Sequence, residues 1–178
     1  MASINDLINS PAPDFALPII GGNSRLILSD LRGQCVIIHF WSAECPWSRR
    51  ADLILVYRQR AWEKLNVRVV GVACNANEPE SEIRSEAESR HLKYPLVADY
   101  AQDISNAYRV QTTPHFVILD RRGIIRYCGA GDDATANQRI PKIIYLDRAL
   151  HSILRDETPN PAMTQSYGSA IVRRTLGA

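Results

Sequence analysis

The chain has 178 residues and a formal net charge of +2 at neutral pH. Hydrophobic residues make up 46% of it and charged residues 22%, which is the composition of a globular domain. The small charge is spread along the chain and gives no argument for nucleic acid as a partner. No apolar run approaches the about 20 residues of a membrane-spanning helix, so no membrane span is expected. We expect one domain over residues 1–178, with an N-terminal arm at 1–13 and an irregular C-terminal tail at 156–178.

The N-terminus lacks the basic and apolar regions of a secretory signal. This predicts a cytoplasmic protein if the chain is complete and an extracytoplasmic one if a signal was removed, so the compartment stays open. The four cysteines are too few and too scattered for a disulfide scaffold. Because they and the four histidines also lack the spacing of a structural metal site, we expect no metal and no other cofactor.

In chain order, a turn at 21–23 predicts a small N-terminal hairpin before the main fold. The segment 35–41 is nearly continuously apolar and β-branched, which is typical of a central strand buried on both faces. A helix follows from Pro46 to about Leu65, and 67–73 is a second strand. A strand, a helix and a strand in this order predict a right-handed crossover and a parallel strand pair.

The second half of the chain alternates in the same way and ends with an antiparallel return. A turn with glycine at its end, Asp120–Gly123, predicts a hairpin in which 124–127 runs antiparallel to the strand before it. Parallel and antiparallel neighbours together predict an α/β fold with a central mixed sheet. The other predicted elements are a helix over 80–91, a strand over 96–98, a helix over 102–108, a strand over 113–119 and a helix over 141–154.

Cys45 lies where the first buried strand has ended and the first long helix begins. Unpaired N–H groups and the positive end of the helix dipole favour a thiolate there, which lowers the thiol pKa. Pro46 suits the first helical position, since its missing N–H costs nothing there. The alternative is a buried structural cysteine, and the Glu44 carboxylate would act against thiolate formation. We interpret Cys45 as a nucleophilic thiol.

Several segments in this order resemble a known family. Pro13–Phe15, Leu28–Gly33 and Phe40–Pro46 are similar to the redoxin branch of the thioredoxin superfamily. That branch includes the alkyl hydroperoxide reductase/thiol-specific antioxidant proteins and extracytoplasmic thiol–disulfide oxidoreductases. Tyr127–Asp133 and Tyr167–Ile171 resemble later segments of one redoxin subgroup, so the resemblance covers about 11–173. It implies a thioredoxin-like three-layer α/β/α fold in which protein or small-molecule thiols and disulfides are the substrates, with peroxides as a further class.

Thr113-Pro114 resembles the cis-proline loop of this family, which faces the active cysteine and pairs with an extended substrate. A cis X-Pro bond is uncommon and usually positions backbone for a purpose. The alternative is an ordinary trans proline at the start of an edge strand. Trp47 would suit an apolar substrate-docking surface beside the thiol, and its alternative is core packing. We therefore predict that Trp47, Thr113 and Pro114 bind substrate.

The sequence departs from the family pattern at two places. Ser48 stands where the second cysteine of a C-x-x-C pair is usual, and a serine cannot resolve a mixed disulfide. We expect Ser48 to donate a hydrogen bond to the Cys45 thiolate instead. In the peroxiredoxin pattern Ser42 can replace the threonine, but Ile38 occupies the proline position, which argues against peroxidase activity.

Three chemistries stay open. Cys45 acts as a monothiol that an external thiol resolves, or it pairs with a second cysteine, or the domain binds partners without turnover. Cys74 is the best internal candidate, because it follows the strand beside the first one. The argument for Cys128 is weaker, and Ser169 occupies the position at which the subgroup often has a further cysteine.

Two further residues have structural alternatives. Cys35 lies at the far end of its strand from Cys45, and we interpret it as structural. His115 could be a base or a copper ligand with Cys45, and its commoner role would be that of a hydrogen-bonded strand histidine.

Overall fold

The structure is a computed structural model that describes residues 4–175. The outermost residues of the predicted arm and tail, 1–3 and 176–178, lie outside the described residues. The strands are β1 (Ala16–Pro18), β2 (Arg25–Ile27), β3 (Cys35–Trp41), β4 (Val67–Ala73), β5 (Leu96–Ala98), β6 (Thr112–Thr113), β7 (His115–Leu119), β8 (Ile125–Gly129) and β9 (Ser169–Ala170). The helices are α1 (Pro46–Lys64), α2 (Glu80–Ser89), α3 (Asp103–Ala107) and α4 (Tyr145–Ile153).

The main sheet has five strands in the order β5-β4-β3-β7-β8. β3 and β4 are parallel, as are β4 and β5, whereas β7 is antiparallel to β3 and β8 is antiparallel to β7. The predicted mixed sheet is therefore confirmed. The predicted N-terminal hairpin is present too, since β1 pairs antiparallel with β2.

Two apolar layers lie on opposite faces of this sheet. Alternate residues of β3 enter one or the other, because successive side chains of a strand point to opposite faces. Ile37 and Trp41 pack with residues of α1, α2 and α4, whereas Ile38 and Phe40 pack with the N-terminal segment and the region around α3. This is the three-layer α/β/α arrangement that we predicted. Among the described residues no helix combines the length and apolar composition that a bilayer crossing requires.

The two largest differences from the predicted elements lie in the second half of the chain. The strand expected over 113–119 is divided at Pro114, because proline has no N–H with which to continue the ladder. The last helix starts at Tyr145 rather than near Pro141. The Asp133 carboxylate accepts hydrogen bonds from the backbone N–H groups of Lys142 and Ile143 at 2.8 and 3.0 Å, which keeps that segment in a loop.

The C-terminal segment runs back across the molecule towards the N-terminus of α1. Its Ser169–Ala170 strand pairs antiparallel with Thr112–Thr113, so that Ser169 lies opposite Thr113. The Ile171 N–H extends this pairing by donating to the Gln111 carbonyl at 3.0 Å. The chain just before Pro114 and the chain near the C-terminus therefore meet beside the predicted thiol site.

A candidate thiol site at the N-terminus of α1

Cys45 is the N-cap residue of α1, and Pro46 is the first helical residue. The Cys45 sulfur accepts the backbone N–H of Ser48 at 3.4 Å, and its thiol donates to the carbonyl oxygen of Thr113 at 3.0 Å. Only 2% of Cys45 is exposed. The thiol is therefore enclosed between the first turn of α1 and the backbone of β6.

The hydrogen bonds around Cys45 decide its acidity. Burial raises the pKa of the thiol, but hydrogen bonding with Ser169, with the backbone of Ser48 and with Thr113 outweighs it and lowers the pKa below its ordinary value. The Cys45 sulfur, which caps α1, is therefore stabilised as a thiolate. Cys45 combines the position and the acidity that a nucleophilic thiol needs.

The other three cysteines have the opposite electrostatics. Burial raises the pKa of Cys35 and Cys74, and it raises the pKa of Cys128 to about 12. Cys74 and Cys128 belong to the apolar layer on the α3 side of the sheet, whereas α1 packs on the other face. All four cysteines are free thiols. Cys45 is the cysteine whose surroundings favour a thiolate.

The loop between β3 and Cys45 is held by the buried carboxylate of Glu78. The carboxylate accepts the Ser42 hydroxyl at 2.5 Å and the backbone N–H groups of Ala43 and Glu44 at 3.0 and 3.1 Å. The Ser42 hydroxyl oxygen in turn accepts the Cys45 N–H at 3.1 Å. Glu78 thus positions the backbone that presents the thiol, through hydrogen bonds of the stronger, charge-assisted kind.

A buried ionic network supports the same loop from the α2 side. Arg90 donates to the Asp52 carboxylate at 3.0 Å and to the carbonyl oxygen of Ala43, and its guanidinium lies 4.8 Å from the Trp41 ring centroid. Asp52 also accepts the Trp41 indole N–H at 2.9 Å and the Tyr94 hydroxyl at 2.6 Å. Both charges are nearly inaccessible, so the pair fixes α1 against the loop that precedes it.

The peptide bond between Thr113 and Pro114 is cis, as the sequence predicted. The chain near Gly168 lies directly over this bond, since a Cβ atom built on Gly168 would be 2.0 Å from the Thr113 carbonyl oxygen. Next to it, Tyr167 meets Trp47 edge to face with ring centroids 4.8 Å apart. Trp47 is half-buried and lies in the first turn of α1, two residues after Cys45.

His115 follows the cis proline, and its Nδ1 lies 2.6 Å from the hydroxyl of Ser166. Burial lowers the pKa of His115 to about 4. The ring therefore has a local hydrogen-bond partner and is neutral at pH 7. Within residues 6–175 no three or more histidine, cysteine or acidic side chains are grouped as a metal site would require.

The structure brings most of the predicted site residues together around the sulfur. Thr113 and Ser48 contact it directly, the latter through its backbone N–H, while the buried Ser48 hydroxyl has no hydrogen-bond partner in the described part of the chain. Cys74 lies in the layer on the other face of the sheet, and no hydrogen bond of the described residues joins it to Cys45.

The sequence did not reveal several residues that support the site. Glu78 lies between the predicted strand over 67–73 and the predicted helix over 80–91, and Asp52 and Arg90 lie in predicted helices without any motif. Ser169 was noted only as the residue in place of a cysteine, not as a partner of Cys45. A buried acidic residue within a helical pattern is the one signal that could have pointed to Asp52.

An N-cap cysteine after a central strand, facing a cis-proline loop in a mixed sheet, defines the thioredoxin-like class. The model of the AhpC/TSA family matches residues 8–128 of the chain. The chain belongs to this family.

Individual relatives agree with this assignment. The thiol-disulfide oxidoreductase ResA of Geobacillus kaustophilus is 30% identical over 119 residues, which cover 67% of each protein. An uncharacterized conserved protein of the same species has a crystal structure that superposes with a TM-score of 0.86, at 23% identity over 96% of this chain and 94% of that one. A hypothetical protein of Sinorhizobium meliloti 1021 superposes with a TM-score of 0.83, at 24% identity over 96% of both chains. These two structures confirm the thioredoxin-like fold.

Proposed function

We propose that the protein is a thiol–disulfide oxidoreductase in which Cys45 is the attacking thiol and an external thiol completes each cycle. One observation carries the proposal: the Cys45 sulfur caps α1 and accepts the Ser48 N–H, while Ser48 itself occupies the place of a second thiol. The similarity to the ResA thiol-disulfide oxidoreductase supports the same class of reaction.

The reaction has two displacement steps. The Cys45 thiolate attacks one sulfur of a substrate disulfide, forms a mixed disulfide with it and releases the other substrate sulfur as a thiolate. An external thiolate then attacks the substrate sulfur of the mixed disulfide, which frees the Cys45 thiolate and forms a new disulfide on the substrate. The helix N-terminus stabilises the Cys45 thiolate before the first step and after the second.

The protein's other residues serve to position these sulfur atoms. Ser48 N–H and Ser169 stabilise the sulfur anion, and the loop held by Glu78 keeps Cys45 at the end of the helix. We propose that the Thr113-Pro114 backbone and the Trp47 ring bind the substrate, since the Thr113 carbonyl accepts the Cys45 thiol and Trp47 lies in the first turn of α1, two residues after Cys45.

An external resolving thiol follows from the side chains near Cys45. Ser48 donates its N–H to the sulfur and Ser169 lies opposite Thr113, and neither serine can form a disulfide. The thiols of Cys74 and Cys128 are buried on the other side of the sheet, and burial raises the pKa of both. Cys74 as an internal resolving thiol is the alternative that the mapping experiment below tests.

Peroxides are a second substrate class that the same thiol could reduce. In that case Cys45 would become a sulfenic acid, which a thiol would reduce with release of water. Ile38, which stands in the proline position of the peroxidase pattern, is a buried residue of β3 and offers no polar group. We therefore place disulfide exchange before peroxide reduction.

Insulin reduction with and without glutathione tests the proposal. We expect turnover only when glutathione is present, complete loss in Cys45→Ser, and retained turnover in Cys74→Ala. Turnover that persists in Cys45→Ser would reject the proposal. Non-reducing peptide mapping during insulin turnover distinguishes the alternatives: a Cys45–Cys74 disulfide would show an internal resolving thiol, and a Cys45–insulin mixed disulfide that glutathione discharges, without a Cys45–Cys74 disulfide, would show an external one.

A further inference from the structure

The thiol that the proposed reaction requires is closed off from solvent. Cys45 is only 2% exposed. A substrate disulfide must bring its two sulfur atoms into line with the Cys45 sulfur before it can react. The atoms around the sulfur belong to the first turn of α1, to β6 and to residues 166–171, which we name the strap. At least one of these three must move before Cys45 can attack.

The middle of the strap, residues 167–170, contains no buried residue, unlike the first turn of α1 and β6. The turn of α1 is fixed through the buried Glu78 and Asp52–Arg90 contacts, and β6 continues into the central strand β7. In contrast, strap residues 168–170 are half-buried or exposed, and the strap is held mainly at its two ends, where the Ser166 hydroxyl lies 2.6 Å from His115 Nδ1 and Ile171 is buried. Segments with few buried contacts are those that open locally at low free-energy cost.

The strap lies in the position of an extended peptide bound at a sheet edge. It adds an antiparallel strand to β6 and places Ser169 opposite Thr113, whose carbonyl oxygen accepts the Cys45 thiol. The edge of a strand binds an extended chain through backbone hydrogen bonds, while its flanking pockets select the side chains. Ser169 thus occupies the position in which the sulfur of such a peptide would meet Cys45.

The edge of β6 beside the cis proline is where the proposed function places its extended substrate, and we infer that the strap occupies this edge as an internal pseudosubstrate. The inference rests on the proposed function and names its substrate class. A protein substrate displaces the strap, pairs with Thr112–Thr113 and places its cysteine where Ser169 lies. The Cys45 thiolate then attacks that cysteine's sulfur, and the substrate's other sulfur leaves as a thiolate.

The contacts of the strap define the preferred sequence around the substrate cysteine. The preceding residue is glycine, because a Cβ at Gly168 would lie 2.0 Å from the Thr113 carbonyl oxygen. The residue before it is aromatic, as Tyr167 packs against Trp47. The residue two after the cysteine is aliphatic, since Ile171 is buried at 7% exposure. The substrate class is therefore an aromatic–glycine–cysteine–any–aliphatic segment in extended conformation.

The first test loosens the strap in the full-length chain. Gly168→Val forces the strap away from Thr113, and Tyr167→Ala removes its contact with Trp47. We expect the rate at which Ellman's reagent modifies Cys45, assigned by peptide mapping, to rise about tenfold in the first variant and about threefold in the second. Tyr57→Ala is the matched control, since Tyr57 is 84% exposed.

Unchanged rates in Gly168→Val would overturn the pseudosubstrate role. Should that variant fail to fold, as judged by circular dichroism, Tyr167→Ala decides the matter alone, because an edge-to-face contact at a half-exposed site does not determine folding. A chain in which Cys45 never reacts with Ellman's reagent, loosened or not, would instead reject the proposed function itself.

The second test addresses the sequence preference. The probe is the peptide Gln-Ser-Tyr-Gly-Cys-Ala-Ile with its cysteine joined to thionitrobenzoate, and the comparison peptide exchanges its Gly and Ala. Cys45 attacks the peptide sulfur and releases coloured thionitrobenzoate. In Gly168→Val and Tyr167→Ala we expect the first peptide to react about tenfold faster, because only glycine fits beside the Thr113 carbonyl. Equal rates for the two peptides would overturn the docking register.

Discussion

The thiol of Cys45 donates a hydrogen bond to the carbonyl oxygen of Thr113 at 3.0 Å, although the two residues are 68 positions apart. This contact joins the N-terminus of α1 to β6, and β6 in turn pairs with the strap. The same sulfur accepts the Ser48 N–H at 3.4 Å, and hydrogen bonding with Ser169 lowers the pKa of the thiol. One set of contacts therefore affects the acidity of the Cys45 thiol, its exposure to solvent and the position that we propose for its substrate.

We expect Ser169→Ala to raise the pKa of the Cys45 thiol. The substitution removes the side-chain hydrogen bond that contributes most to lowering this pKa against the effect of burial. The pH dependence of Cys45 alkylation by iodoacetamide measures the change, and its midpoint should move to higher pH. Ser85→Ala, on the exposed side of α2, should keep the midpoint of the parent protein. An unshifted midpoint in Ser169→Ala would show that the hydroxyl does not stabilise the thiolate.

We expect Glu78→Ala to destabilise the protein by about 3 kcal/mol, because it leaves the Ser42 hydroxyl and two backbone N–H groups without their buried acceptor. Glu78→Gln keeps one acceptor oxygen and should lose less. Urea unfolding at neutral pH measures both. Glu88→Ala removes an exposed carboxylate and should change stability by less than about 0.5 kcal/mol. Equal stability of Glu78→Ala and Glu88→Ala would contradict the role of Glu78.

Replacing Arg90 by methionine should destabilise the fold by about 3–5 kcal/mol, because Asp52 would remain as an unpaired buried charge. The double variant Asp52→Asn/Arg90→Met should recover part of this loss, since the charge is gone as well. Thermal or urea unfolding of the three proteins provides the comparison. The exposed Arg84→Met serves as the control. A double variant less stable than Arg90→Met would refute the explanation by an unpaired charge.

Stability should fall as the pH is lowered from about 6.5 to about 4. Burial lowers the pKa of His39 and of His115 from 6.5 to about 4, so between these values the unfolded chain binds protons that the folded chain does not. Each histidine contributes on the order of 3 kcal/mol to the loss of unfolding free energy between these two pH values. His115→Asn should reduce the slope in urea unfolding series, whereas the exposed His151→Asn should leave it unchanged. A slope of parent size in His115→Asn would contradict this explanation.

Local sequence patterns were enough to predict the elements that carry the thiol. The strands 35–41 and 67–73 have the predicted bounds, since their apolar β-branched runs are bordered by polar residues and turns. Cys45 as the N-cap with Pro46 behind it also followed from the sequence, because capping depends on adjacent residues. The start of α4 was missed because the Asp133 side chain, nine residues before Lys142, holds that segment outside the helix.

The sequence by itself thus determined the sheet, the first helix and the cysteine at its N-terminus, since each depends on neighbouring residues. Only the tertiary structure decided what surrounds the sulfur. Glu78, Thr113 and Ser169 reach the site from 33 to 124 positions away, and no periodicity links such distant residues. A serine 124 positions after Cys45 becomes its hydrogen-bond partner because β6 has a free edge there and the chain folds back to pair with it.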